Sequence, residues 1–158
     1  VAAGEGGFLL GEDGLVLLFP TFPALIVATE SGSPGNFCVF PGYELLRERI
    51  GSASAVGPDG GPVALLDFPN ARAGIAELSG DHGGGGAVVD CLDGLLDLAR
   101  QQGETAILDL VNGEDRPLRR MYDYIWGDGD AFVVDAAVTD FELATAWFES
   151  QCRVVQPG

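Results

Sequence analysis

Lysine is absent from this chain, and all eight of its basic residues are arginines. That absence excludes a Schiff-base lysine, a phosphate-loop lysine and a kinase-type lysine. Histidine occurs once, at His82 in the stretch GDHGGGG. A Ser-His-Asp triad would have to use it, and no G-x-S-x-G elbow accompanies it. As a metal ligand His82 has only Asp81 beside it, with no second histidine or carboxylate pair at ligand spacing. The three cysteines, Cys38, Cys91 and Cys152, lie far apart and form no CxxC pair, so no zinc or thioredoxin signature is present. They read as three buried small hydrophobes, or as one disulfide and a free thiol. No apolar run reaches the roughly 18 residues of a membrane helix. The longest candidate, GLVLLFPTFPALIVA, is broken by Pro20 and Pro23.

Acid is what the chain has in excess. Its 24 Asp and Glu set a net charge of −16 and a pI of about 4.1. Such a surface repels nucleic-acid phosphate and anionic lipid, which argues against a nucleic-acid partner. It suits basic partners, divalent cations or simple solubility. GC-rich codon usage and a high-salt habitat would each produce an acidic chain without lysine. With 158 residues and 47% hydrophobic content, the chain is long enough to bury a core without staples and too apolar to be disordered. We expect a flexible tail over 1–7 and a single domain over 8–158. The opening VAAGEGG starts without Met, and suits either a trimmed start or a mature end behind a small-residue cleavage site.

Patterning along the chain suggests strands at Gly14–Phe19, ALIVATES and FCVFPG, then one or two helical turns in YELLRERI. VALLDF and AGIAEL read as a strand pair across PNAR. A helix is expected in VVDCLDGLLDLARQQG, capped by Asp90, with Leu92, Leu95, Leu96 and Ala99 as its apolar stripe and Gly103 just past its end. TAILDLV, RRMYDYIW and AFVVDAAV, joined by short turns, read as an antiparallel meander. Thr139 and Glu142 fit the S/T-x-x-E capping box and predict a helix start, with Phe141, Ala144, Phe148, Cys152 and Val155 at helical spacing. The predicted fold class is therefore α+β: a mostly antiparallel sheet packed by a central helix and a C-terminal helix.

No catalytic, cofactor-binding or metal-binding residues emerge, and a non-enzymatic protein without a cofactor is expected. The glycine run before the central helix lacks both phosphate-binding patterns, and Asp81, Asp90 and Asp93 would repel a phosphate. GDGDA at 127–131 and NGED at 112–115 do not fit a calcium loop and read as hairpin turns. Among 24 acidic residues no pair stands out for glycoside hydrolysis. Trp147 lies on the terminal helix and reads as partly core. Trp126 abuts a turn, and with Asp128 and Asp130 it forms the candidate partner-binding group.

Three segments carry a resemblance to a known family. DGLVLLFP at 13–20 looks like the opening strand of the PsbP-like family, the extrinsic lumenal proteins of photosystem II. CLDGLLDLARQQGETAILD at 91–109 is similar to its central helix and the strand that follows. DAFVVDAAVTDFELATAWF at 130–148 looks like its last strand and packing helix. The resemblance implies the Mog1/PsbP fold and a lumenal extrinsic subunit that stabilises a photosynthetic membrane complex. It implies a location in the thylakoid lumen and a partner complex with basic or membrane-embedded subunits, without itself being an integral membrane protein. The chain departs from the family in ending CRVVQPG rather than with serine-phenylalanine, and in having no lysine-rich surface. No family residue is carried over by position. The charge of −16 and the lack of catalytic residues support an alternative: an acidic inhibitor or immunity-type protein of the bacterial cytoplasm, covering a basic toxin or nucleic-acid-binding protein.

Overall fold

The computed structural model describes residues 14–19, 24, 27–28, 66–78 and 85–155. The chain divides into two units, one of Val1–Ala64 with Gln151–Gly158, the other Leu65–Ser150.

In the first unit, β1 (Val16–Leu18) pairs in parallel with β2 (Cys152–Val154), with Val16 opposite Cys152 and Leu18 opposite Val154. The ladder is extended at both ends: Val16 N–H donates to the Gln151 carbonyl and Val155 N–H to that of Leu18. Val16 and Leu17 are both buried, Leu17 clustering with Ala28 and with the partly buried Phe19 and Val155, whereas Leu18 and Val154 are exposed. The strand expected over Gly14–Phe19 is therefore present as β1. Of ALIVATES, the described residues Ala24, Val27 and Ala28 are helical.

The second unit is a helix bundle: α1 (Phe68–Glu77), α2 (Gly86–Gln102), α3 (Thr105–Asn112), α4 (Pro117–Ile125) and α5 (Val134–Ser150). The expected antiparallel sheet is overturned. Among the described residues the only sheet is the parallel β1–β2 pair, and AGIAEL, TAILDLV and RRMYDYIW are helical. AFVVDAAV is irregular for three residues and then enters α5.

The reasons lie in helix-start chemistry. Asp67 caps α1 by accepting from the Asn70 N–H at 3.0 Å, and Pro69 falls in the first turn. Proline is favoured there because its missing N–H is one the helix leaves unpaired anyway. Pro117 opens α4 in the same way. Each proline ends the preceding segment and starts a helix, rather than turning a hairpin. Helical spacing then explains burial. In α4, Leu118 and Met121 are buried and Tyr122 and Ile125 partly so, which is the i, i+3, i+4, i+7 stripe.

α2 starts at Gly86, four residues before Asp90, so Asp90 is an interior residue and Gly85 precedes the helix without a side-chain cap. Its expected stripe holds: Leu92, Leu95, Leu96 and Ala99 are all buried, with Val88, Cys91 and Leu98 added. Gly103 sits in the left-handed region at φ 73°. The Glu104 N–H reaches the Ala99 carbonyl and the Gly103 N–H that of Arg100, a Schellman pair. In α5 the spacing Ala137, Phe141, Ala144, Phe148 is buried. The helix starts five residues ahead of Thr139, so the capping box does not form. Thr139 Oγ1 donates to the Asp135 carbonyl one turn back, and Glu142 is paired with Arg72 of α1. Cys152 and Val155 lie beyond the helix, in and after β2.

The bundle closes around aromatic contacts. The Phe68 ring lies 6.2 Å from Phe141 and 5.1 Å from Phe148, tilted in both pairs, and joins α1 to α5. Aromatic rings favour such tilted contacts over face-to-face stacking. α2 packs on α1, α3 and α5, and α4 packs on α3 and α5. No helix among the described residues is long and apolar enough to cross a membrane.

Candidate functional site

The expected partner-binding residues lie together, where α4 ends. Trp126 follows the last turn of α4, with its backbone still helical. Gly127 then takes a left-handed φ of 77°, a conformation that costs a side-chain-bearing residue about 1–2 kcal/mol. The Gly127 N–H reaches the Tyr124 carbonyl and the Asp128 N–H that of Asp123. This is a second Schellman pair, so GDGD is a helix terminator and not the expected hairpin turn. The chain after it is fastened by Phe132, whose ring meets Tyr124 edge-on at 5.3 Å.

This folding leaves Trp126 61% exposed, flanked on one side by the Tyr122 ring at 6.2 Å. Asp128 and Asp130, two and four residues further along the chain, are exposed as well. A cleft of about 240 Å³ is lined by Arg120, Asp123, Gly129, Asp130 and Ala131. Sequence reasoning missed Arg120, Asp123, Gly129 and Ala131 as lining residues. The available signal was Gly127 read as a helix C-terminal glycine, which would have folded 129–131 back over Asp123. Trp147 is half-buried on α5, in line with the expectation.

The charge of the bundle is one-sided. Its five arginines each have a carboxylate partner: Arg72 with Glu142, Arg100 with Asp97, Arg116 with Asp109, Arg119 with Asp123 and Arg120 with Asp115. The hydrogen bonds that Arg116 donates to Asp109 raise its pKa further. Asp115 itself has a positive φ of 66°, which aspartate tolerates better than most residues. Among the described residues Asp90, Asp93, Glu104, Asp128, Asp130, Asp135 and Glu149 have no ion pair. On α2, Asp90, Asp93 and Asp97 recur at i, i+3, i+7 and so share a face. The Asp93 carboxyl is raised by burial first, then by Asp97 and Asp90, against a lowering by Arg100.

Cys91 is fully buried, and its thiol is raised to about 11 by burial, with Asp67 and Asp90 adding to the shift. That is the setting of a packing residue and not of a nucleophile. Cys91 is a free thiol. Cys38, His82 and Asp81 lie outside the described residues. Among the described residues no group of three His, Cys, Asp or Glu is placed to hold a metal ion.

No family model, no curated protein and no solved structure matches this chain.

Proposed function

We propose that this protein is a non-enzymatic binding protein whose acidic surface covers a basic partner protein. The observation that carries the reading is the charge arrangement: all five arginines of the bundle are engaged by carboxylates of the same bundle, while further carboxylates of the bundle have no ion pair among the described residues. A surface whose cations are neutralised internally presents a negative field to its surroundings. Such a field speeds association with positive surfaces and disfavours acidic ones. An inhibitor or immunity-type protein would use the surface in this way. The reading is built on charge and not on the PsbP-like resemblance, because the sheet strands expected in two of the three segments that carry the resemblance are helical or irregular.

The test is capture on the immobilised full chain from extracts of its own source at low and high salt. A basic partner bound in dilute buffer and released by about 0.5 M NaCl, where the screening length is only a few ångströms, is the expected result. A sole partner that is acidic, or one held equally well at both salt concentrations, overturns the reading.

A further inference from the structure

We infer that the corner formed by Trp126, Asp128 and Asp130 is the docking point for an arginine-bearing segment of that basic partner. The guanidinium lies on the Trp126 indole, and its charge is met by the two carboxylates. This rests on the binding-protein reading above and names the surface that serves it.

Three independent features converge at this corner. The first is the anchor. Trp126 is 61% exposed, its backbone set by the end of α4 and its ring flanked on one side by that of Tyr122. A large aromatic fixed before binding loses little freedom on docking, and for that reason tryptophan and tyrosine dominate binding hot spots. The second is charge complementarity. Asp128 and Asp130 have no ion pair among the described residues, while the neighbouring cations are already engaged, Arg119 by Asp123 and Arg120 by Asp115. The third is the helix end. Trp126 follows the last turn of α4, where the backbone dipoles place partial negative charge and favour a cation. The adjoining cleft of about 240 Å³ places Asp130 beside Arg120 and Asp123, whose charges are already engaged by Asp115 and Arg119.

Arginine fits these features better than lysine. Its planar guanidinium stacks on an indole and gives two parallel hydrogen bonds to a carboxylate, whereas an ammonium is a compact, strongly hydrated charge.

The inference is tested on the full chain with nona-arginine and nona-lysine peptides as probes, by titration calorimetry at low ionic strength. The expected result is tighter binding of the arginine peptide by about two- to fivefold, the range of an exposed cation–π contact. Trp126→Ala removes that preference. The double change Asp128→Asn/Asp130→Asn weakens both peptides more than Glu104→Gln/Glu149→Gln does. The latter pair removes the same charge at exposed sites elsewhere in the bundle, just before α3 and in the last turn of α5. Equal affinity for the two peptides, an unchanged preference in the Trp126 variant, or equal weakening by the two double variants overturns the inference. Those results leave the binding-protein reading standing, because a negative field without a docking point binds both peptides alike. Absence of binding by either peptide overturns both.

Discussion

Replacing Thr139 with alanine separates two accounts of α5 by the sign of its effect. If Thr139 capped a helix, its loss would cost about 1 kcal/mol. In the structure it is an exposed residue inside α5, five positions after the first residue of the helix. Alanine is the better helix former there by up to about 0.7 kcal/mol, because threonine loses side-chain freedom against the preceding turn. The hydroxyl's bond to the Asp135 carbonyl, 2.8 Å long, offsets little of this. That carbonyl belongs to the helix ladder, and back-bonding of this kind slightly destabilises helices. We therefore expect Thr139→Ala to raise stability by about 0.5 kcal/mol. In urea unfolding followed by far-UV circular dichroism, this is an upward midpoint shift of about 0.2–0.5 M for ordinary slopes. A companion double-mutant cycle should couple Glu142 to Arg72, its observed partner, and not to Thr139. A midpoint lowered by the equivalent of a lost cap would refute the helix placement.

Phe141→Ala removes a ring that is 1% exposed and in contact with Phe68, and should cost about 3–5 kcal/mol, read from the same urea midpoint; an unchanged midpoint would remove Phe141 from the core. Cys91 should resist iodoacetamide in the native protein at pH 8 and be alkylated once unfolded, as mapped by peptide mass spectrometry. Its raised pKa also has a consequence for stability: the unfolded thiol ionises at the ordinary 9.0 and the folded one at about 11, so stability falls as pH climbs through that window. Cys91→Ala should flatten this fall, and an identical slope in the variant counts against it. For Asp93 the folded pKa is raised, so ionisation disfavours the folded state and its penalty grows as pH rises above 3.8. Asp93→Asn should therefore raise the melting temperature at pH 7 and lose that advantage at pH 3, where the carboxyl is protonated folded or unfolded. A variant less stable than the parent at pH 7 contradicts the shift.

What was legible in the sequence was periodicity sustained over many turns. The stripe Leu92, Leu95, Leu96, Ala99 of α2 and its terminating Gly103 follow from the sequence, as does the Phe141, Ala144, Phe148 register of α5. Short apolar runs were not legible. TAILDLV fits a strand by composition, yet Ile107, Leu108, Leu110 and Val111 also fit one helix face, and seven residues do not distinguish the two. RRMYDYIW starts at Arg119, so it leaves out Leu118, the partner of Met121, and begins the pattern one residue late. Proline and glycine in PNAR, NGEDRP and GDGD suit hairpins, although the same residues punctuate helices. Of the candidate site, Trp126, Asp128 and Asp130 were legible because a tryptophan beside an acidic turn is visible in one dimension. The cleft was not, since it depends on the chain reversing at Gly127.

The imbalance of charge that underlies the functional reading can be weighed in the isolated protein. Two electrostatic effects act on the bundle, and salt moves them in opposite directions. The five arginine–carboxylate pairs stabilise it and weaken when screened, but they lie at the surface, where such pairs are worth about 0–1 kcal/mol each. Repulsion among the remaining carboxylates destabilises the folded state and is relieved by screening, with a Debye length near 10 Å at 0.1 M salt. With a net charge of −16, repulsion is the larger effect. The melting temperature should therefore rise between low salt and about 0.3 M NaCl, beyond which the remaining gain is small because the screening length is already short. A basic partner would stabilise the chain by the same relief, concentrated on one surface and added to its binding energy. A melting temperature that falls with salt would mean that the internal pairs outweigh the repulsion. The surface would then be balanced within itself, and the main reason for expecting a basic partner would be gone.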